Sequence, residues 1–238
     1  MARKNENTGG RLGPLLDRAV TIPSSRIHRH VDAVRRKNPD AAPAVIVEAL
    51  ETRFLRRAAR GGGLIGMIAA IPGVGTGTAL VLTGTQVASF LRDAAIHVMA
   101  VADVYGVPID DVERRRSLLL ASLMGEEGAN AVQTQLGVGS LYWGRTLLTR
   151  LPIGTVKAVN MSLRRRAARK GAKVGSRALV GRLFPFGIGA VIGYTGGKSM
   201  GKEVTKGVRE AFGPAPRTFG RAVGQVPRMA RVVIQDEA

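Results

Sequence analysis

A chain of 238 residues that is 45% hydrophobic but only 4% aromatic can bury one sizeable core, and that core must be built from Ala, Val, Leu and Ile. The absence of cysteine excludes a disulfide framework, a thiolate zinc site and a cysteine nucleophile. The formal net charge of +19 divides into +4 up to Gly144 and +15 from Arg145 onward, which calls for an anionic partner, a membrane surface ahead of nucleic acid.

In chain order, residues 1–13 read as a disordered, polar, glycine-containing arm without the apolar run of a secretory signal. A helix is expected after Pro23, capped by Ser24 or Ser25 and running to Asn38. The next begins near Pro43 and ends against Gly61-Gly62-Gly63. Its apolar face carries Val45, Val47, Leu50, Phe54, Leu55 and Ala58, and Arg53, Arg56, Arg57 and Arg60 crowd its C-terminal end. Residues 61–91 carry no charge and are long enough to span a bilayer, but Ile71-Pro72-Gly73 divides them. Two apolar helices meeting at a Pro-Gly turn fit better than a transmembrane span, either as buried core or as an in-plane membrane element. The second of these helices is predicted over Thr78–Tyr105, stopped by Gly106-Val107-Pro108. Another follows from Asp110 to Gly125, with acids in its first turn. Helical pieces then cover 128–136, 140–148 and 152–170. A second Pro-Gly element at Phe184–Gly189 echoes the first, and Gly213-Pro214-Ala215-Pro216 closes the last helix, leaving 213–238 as a basic, weakly ordered tail. No stretch shows sustained two-residue alternation. The predicted fold is therefore all-α, a single multi-helix domain over 14–212 with two glycine-rich Pro-Gly helical hairpins.

Gly193–Lys202, GYTGGKSMGK, fits three catalytic patterns in letters only. A phosphate-binding loop needs a glycine where Ile192 stands. The GxSxG elbow around Ser199 has no histidine after it in the chain. The SxxK reading of Ser199 and Lys202 lacks its SDN and KTG companions. Four-residue spacing explains the glycines more simply. Gly189, Gly193, Gly197 and Gly201 form one slowly drifting helical stripe that lets another helix approach closely, and Gly62/Gly66 and Gly73/Gly77 repeat the spacing.

Gln86, Asp93 and His97 lie on one stripe of a helix and raise the thought of a metal or acid–base site. The neighbouring Thr85, Ser89, Arg92 and Asp103 widen that stripe into a polar arc, which reads as a wetted face or as buried hydrogen bonding. The cations Arg164, Arg165, Arg166, Arg169, Lys170 and Lys173 crowd a predicted helix without interleaved aromatics or a nucleic-acid-reading motif. Beside apolar glycine-rich elements they suit anionic headgroups, with Lys198 and Lys202 as further contacts.

Several motifs in order resemble the EcsC family of bacterial proteins: LLDRAVTIPS at 15–24, HVDAVRRKNPDAAPAVIVEALE at 30–51, PGVGTGTAL at 72–80, VYGVPIDDVERRRSLLLASLMGEEGA at 104–129, LPIGTVKAVN at 151–160, FPFGIGAVIG at 184–193 and FGPAP at 212–216. The resemblance covers about 14–216. It implies a largely helical, membrane-associated protein, with some relatives encoded beside transporter components, and it supplies no catalytic residues. Together these readings predict a non-enzymatic protein on the cytoplasmic face of the membrane, accessory to a transport or envelope process. No cofactor or metal is assigned. Its partners are expected to be anionic lipid or a membrane protein, with homo-oligomers formed through the glycine-rich helices. A nucleic-acid-binding protein using the same basic region, or a hydrolase using Ser199 or Asp93/His97, is the alternative.

Overall fold

The computed structural model describes residues 7–69, 76–136, 142–175 and 188–224, with only the backbone described for helical residues 7–12, 62–69, 76–84, 136, 167–175 and 188–195. Among the described residues every regular element is a helix: α1 (Asn7–Val20), α2 (Ser24–Arg36), α3 (Pro43–Ala69), α4 (Thr76–Val104), α5 (Val112–Met124), α6 (Glu126–Leu136), α7 (Trp143–Thr149), α8 (Ile153–Gly175) and α9 (Ile188–Phe212). The predicted all-α class is the observed one.

Local chemistry sets several boundaries. Asp111 caps α5 by accepting a hydrogen bond from the Arg114 N–H, and Gly125 ends the helix with a φ of 59°. Gly106, at φ 69°, turns the chain out of α4. At the start of α2 neither serine caps the helix. Pro23 holds the N-cap position without a side-chain bond, and Ser24 Oγ instead donates to Asp110 at 2.6 Å. Buried Arg115 draws the same corner together, donating to the carbonyls of Val20, Ile22 and Ile109.

α4 lies at the centre. Every residue from Ala94 to Val104 is buried, because small side chains on all sides of the helix let α1, α2, α3, α5 and α9 approach it. α3 runs antiparallel to α4, as Phe54 stacked on His97 and Arg57 paired with Asp93 require. α9 runs antiparallel along α3, joined near one end by the two-pronged Arg209–Glu51 pair and further along by Gly201 against Leu55 and Ala58.

Three further expectations change. α1 begins at Asn7, inside the stretch expected to be a disordered arm, and Leu15, Leu16, Ala19 and Val20 pack on the core. α3 continues through Gly61-Gly62-Gly63 to Ala69, since glycine lowers helix propensity without forbidding a helix that neighbours support. Residues 213–224 are not a loose tail. Tyr105 donates to the Gly213 carbonyl at 2.6 Å, Arg35 lies 3.7 Å above the Phe219 ring, and Gly220 packs so close to Gly106 that neither position leaves room for a side chain. The turn of the first hairpin, including Gly73, and the second Pro-Gly element at 184–187 lie outside the described residues, as does the rest of the tail.

Candidate functional sites

The outer face of α8 gathers the described part of the basic cluster. Val156, Val159, Asn160 and Leu163 turn inward, leaving Ile153, Lys157, Met161, Arg164 and Arg165 on one exposed flank. These positions fall at i, i+4, i+8, i+11 and i+12, close together on a helical wheel. Ile153 is 44% and Met161 52% exposed, and Arg165 reaches back to within 3.6 Å of the Met161 sulfur. Arg166 is exposed as well. α8 contains no acidic residue, and among the described residues no carboxylate pairs with Arg164, Arg165 or Arg166. Arg169, Lys170 and Lys173 continue the same helix; their side chains lie outside the described residues.

Lys198 and Lys202 are exposed on α9, and among the described residues nothing joins them to the α8 cations. The surface of α9 is mixed in sign, with Glu203 exposed and Lys206 facing Glu126 and Glu210. Ser199 is an exposed residue in the middle of this continuous helix. A nucleophile elbow requires a sharp strand-to-helix turn, and the backbone at Ser199 has no such turn.

Of the glycine ladder, Gly201 is buried and Gly197 half-buried on α9. A Cβ at Gly201 would lie 3.0 Å from Leu55 Cδ2 and 3.2 Å from Ala58 Cβ, so this position admits α3 at close range. Gly62, Gly66, Gly77, Gly189 and Gly193 fall within helices, but their packing lies outside the described residues.

The polar stripe of α4 divides. Thr85, Ser89 and Arg92 are exposed, whereas His97 and Asp103 are 4% and 6% exposed. His97 stacks face to face on Phe54, with centroids 4.8 Å apart, and its Nδ1 is buried without a hydrogen-bond partner. Burial pushes its pKa down to about 3, with His30 adding to the effect. His30 is also lowered, by burial and then by Arg57 and Arg53. These residues line a cleft between α2, α3 and α4 together with Leu50, Asp93 and Ile96, and its interior has room for about one water molecule. Asp93, on the same stripe, turns to Arg57, 3.5 Å away. Among the described residues no group of His, Asp and Glu is arranged to hold a metal ion.

A second buried polar group was not anticipated. Arg221 Nη2 lies 2.8 Å from both Asp32 Oδ1 and Asp103 Oδ2. The Gly224 N–H donates to Asp32 at 3.0 Å, and His28 Nδ1 contacts Asp103 at 2.9 Å. A carboxylate only accepts, so the imidazole proton sits on Nδ1. Burial alone would raise the Asp32 pKa, but the Arg221 and Gly224 hydrogen bonds outweigh it and the net shift is downward. Burial would likewise lower Arg221, and its bonds to Asp103 and Asp32 reverse the sign. The group is saturated with internal partners, which makes it a clamp for residues 213–224. Its sequence signals are Asp32 on the inner side of an amphipathic helix and Asp103 in an otherwise apolar run; nothing in the local sequence marks Arg221.

No family model, curated protein or solved structure matches the chain. Among the described residues no helix is long and apolar enough to cross a membrane.

Proposed function

We propose that the protein binds peripherally to an anionic membrane, with the outer face of α8 lying on the lipid. The observation that carries this reading is the exposure of Ile153 and Met161 on the same flank as Lys157, Arg164 and Arg165, in a helix without a single acid. Cations alone would suit any polyanion. Large apolar side chains set among them suit an interface that offers headgroup charge and acyl chain together. Membership of the EcsC family, a location on the inner face of the membrane and a role beside transport machinery belong to the same proposal.

Cosedimentation with vesicles rich in phosphatidylglycerol tests it. The protein pellets with the vesicles at low salt and is released as salt rises, while neutral phosphatidylcholine vesicles leave it in solution. Failure to bind anionic vesicles at low salt overturns the reading. Preference for a nucleic-acid duplex over vesicles at matched salt transfers the basic face to the other partner class.

A further inference from the structure

The cleft between α2, α3 and α4 lies apart from the α8 face, and its chemistry is one-sided. It is floored by a histidine that is 4% exposed and whose Nδ1 meets no partner. A polar nitrogen buried without a partner is destabilising, so it points to a ligand. Arg53 and Arg57 stand on the α3 wall and His30 on the α2 wall. Asp93, the carboxylate in the lining, is engaged with Arg57, and among the described residues no carboxylate pairs with Arg53. Arg56 and Arg60 on α3 and Arg92 on α4 are exposed as well. The two guanidiniums and one carboxylate of the lining sum to a surplus positive charge, which disfavours a metal cation and favours an anion. The interior accommodates one water-sized atom, the dimension of a single oxyanion oxygen.

We infer that this cleft binds a phosphate group, one oxygen entering to accept from His97 Nδ1–H while Arg53 and Arg57 hold the others at the mouth. The inner hydrogen bond satisfies the orphaned nitrogen, and the arginines supply the charge-assisted contacts that planar guanidiniums make with phosphate. The phosphate could arrive free or as a monoester headgroup, and both share this chemistry.

The probe is inorganic phosphate, followed at the histidine side chains by ¹H–¹⁵N NMR of the intact chain. Phosphate shifts the His97 and His30 signals saturably, while chloride at equal ionic strength does not. Arg53→Gln weakens the phosphate effect about tenfold or more, with an unchanged thermal midpoint showing that the fold persists. In a separate arm, Arg53→Gln lowers binding to vesicles containing phosphatidic acid but not to those containing phosphatidylglycerol at equal charge if the source is a lipid monoester; unchanged binding to both vesicle types, with loss of free phosphate binding, identifies the soluble ion. Absence of saturable shifts with both phosphate and phosphatidic acid overturns the inference. So does an identical response to chloride, or an undiminished response in Arg53→Gln.

Discussion

Arg221 places its Nη2 2.8 Å from Asp103 Oδ2, joining the segment after α9 to the middle of the protein across more than a hundred residues of sequence. Both side chains are almost fully buried, and Asp32 shares the guanidinium. Taking away one member of such a group leaves the rest as uncompensated buried charge. Arg221→Ala is therefore expected to lower unfolding stability by about 3 kcal/mol or more, read as a shifted urea midpoint. Arg221→Lys restores part of it, because an ammonium keeps the charge but not the fork. A loss below about 0.5 kcal/mol, the usual range for surface positions, would show that the clamp contributes little.

What could be read from the sequence follows from the range of the interactions. Gly125 was legible as the stop of α5 because its contacts lie within a turn, whereas Asp111, read as an acid of the first turn, is the N-cap. Gly106 was visible as the stop of α4 for the same reason. The α8 cations were visible because charge density is a local property, although their alternation with Ile153 and Met161 emerged only once α5 had fixed which flank turns inward. Arg221 was invisible because its partners lie on α2 and α4, and the glycines and prolines before it read as a tail. His97 looked like one more member of a polar arc; only the packing of Phe54 separates it from the exposed Arg92. α1 was missed because its glycines and Pro14 lower helix propensity, and the core contacts of Leu15 and Leu16 override them.

Two glycines of α9 should answer alanine differently. At Gly201 the new methyl would lie 3.0 Å from the end of the Leu55 side chain, which can turn aside, and 3.2 Å from Ala58 Cβ, which yields only by a small shift of α3; the substitution recovers about 1 kcal/mol of helix propensity against that shift. Gly201→Ala is thus expected to be near neutral, while Gly201→Leu wedges α9 from α3 at a cost of about 1–3 kcal/mol. At Gly207 the methyl would meet the Ser122 carbonyl oxygen at 2.8 Å and Ser122 Cα at 3.0 Å, and a helix backbone cannot step aside. Gly207→Ala should destabilise despite the gain in propensity. Thermal melts of the three variants decide the order, and equal effects at 201 and 207 would contradict it.

Acid should weaken the fold through the two histidines of the cleft. His97 keeps its pKa near 3 in the folded protein and takes the ordinary 6.5 when unfolded. Between these values the unfolded chain binds the extra proton, so the stability present above pH 6.5 declines as pH falls, by up to about 1.4 kcal/mol per pH unit. The lowered pKa of His30 acts in the same direction. Urea midpoints measured in phosphate-free buffer should fall between pH 6.5 and 4.5, and His97→Gln should flatten that fall. A midpoint independent of pH across this interval would mean that His97 protonates within the fold.

The α8 face makes a prediction with two separable parts. Replacing Arg164, Arg165 and Arg166 with Gln removes charges worth about 1 kcal/mol each near an anionic surface. Vesicle affinity should then drop by up to about a hundredfold at low salt, and the remaining binding should depend less steeply on salt. Replacing Ile153 and Met161 with Ser leaves every charge in place. That variant should lose affinity by a similar factor at low and high salt, because burial of apolar area is not screened. Both side chains are about half exposed in the free protein and neither belongs to the buried core, so its thermal stability should change little. Nucleic acid would answer the first substitution and ignore the second, since a phosphate backbone offers no acyl layer for these side chains. Affinity for vesicles that falls with the arginines but is untouched by the Ile153 and Met161 changes would reduce α8 to a generic polyanion contact. Loss in both variants, with salt sensitivity altered in only one, is the signature of a helix lying in a membrane interface.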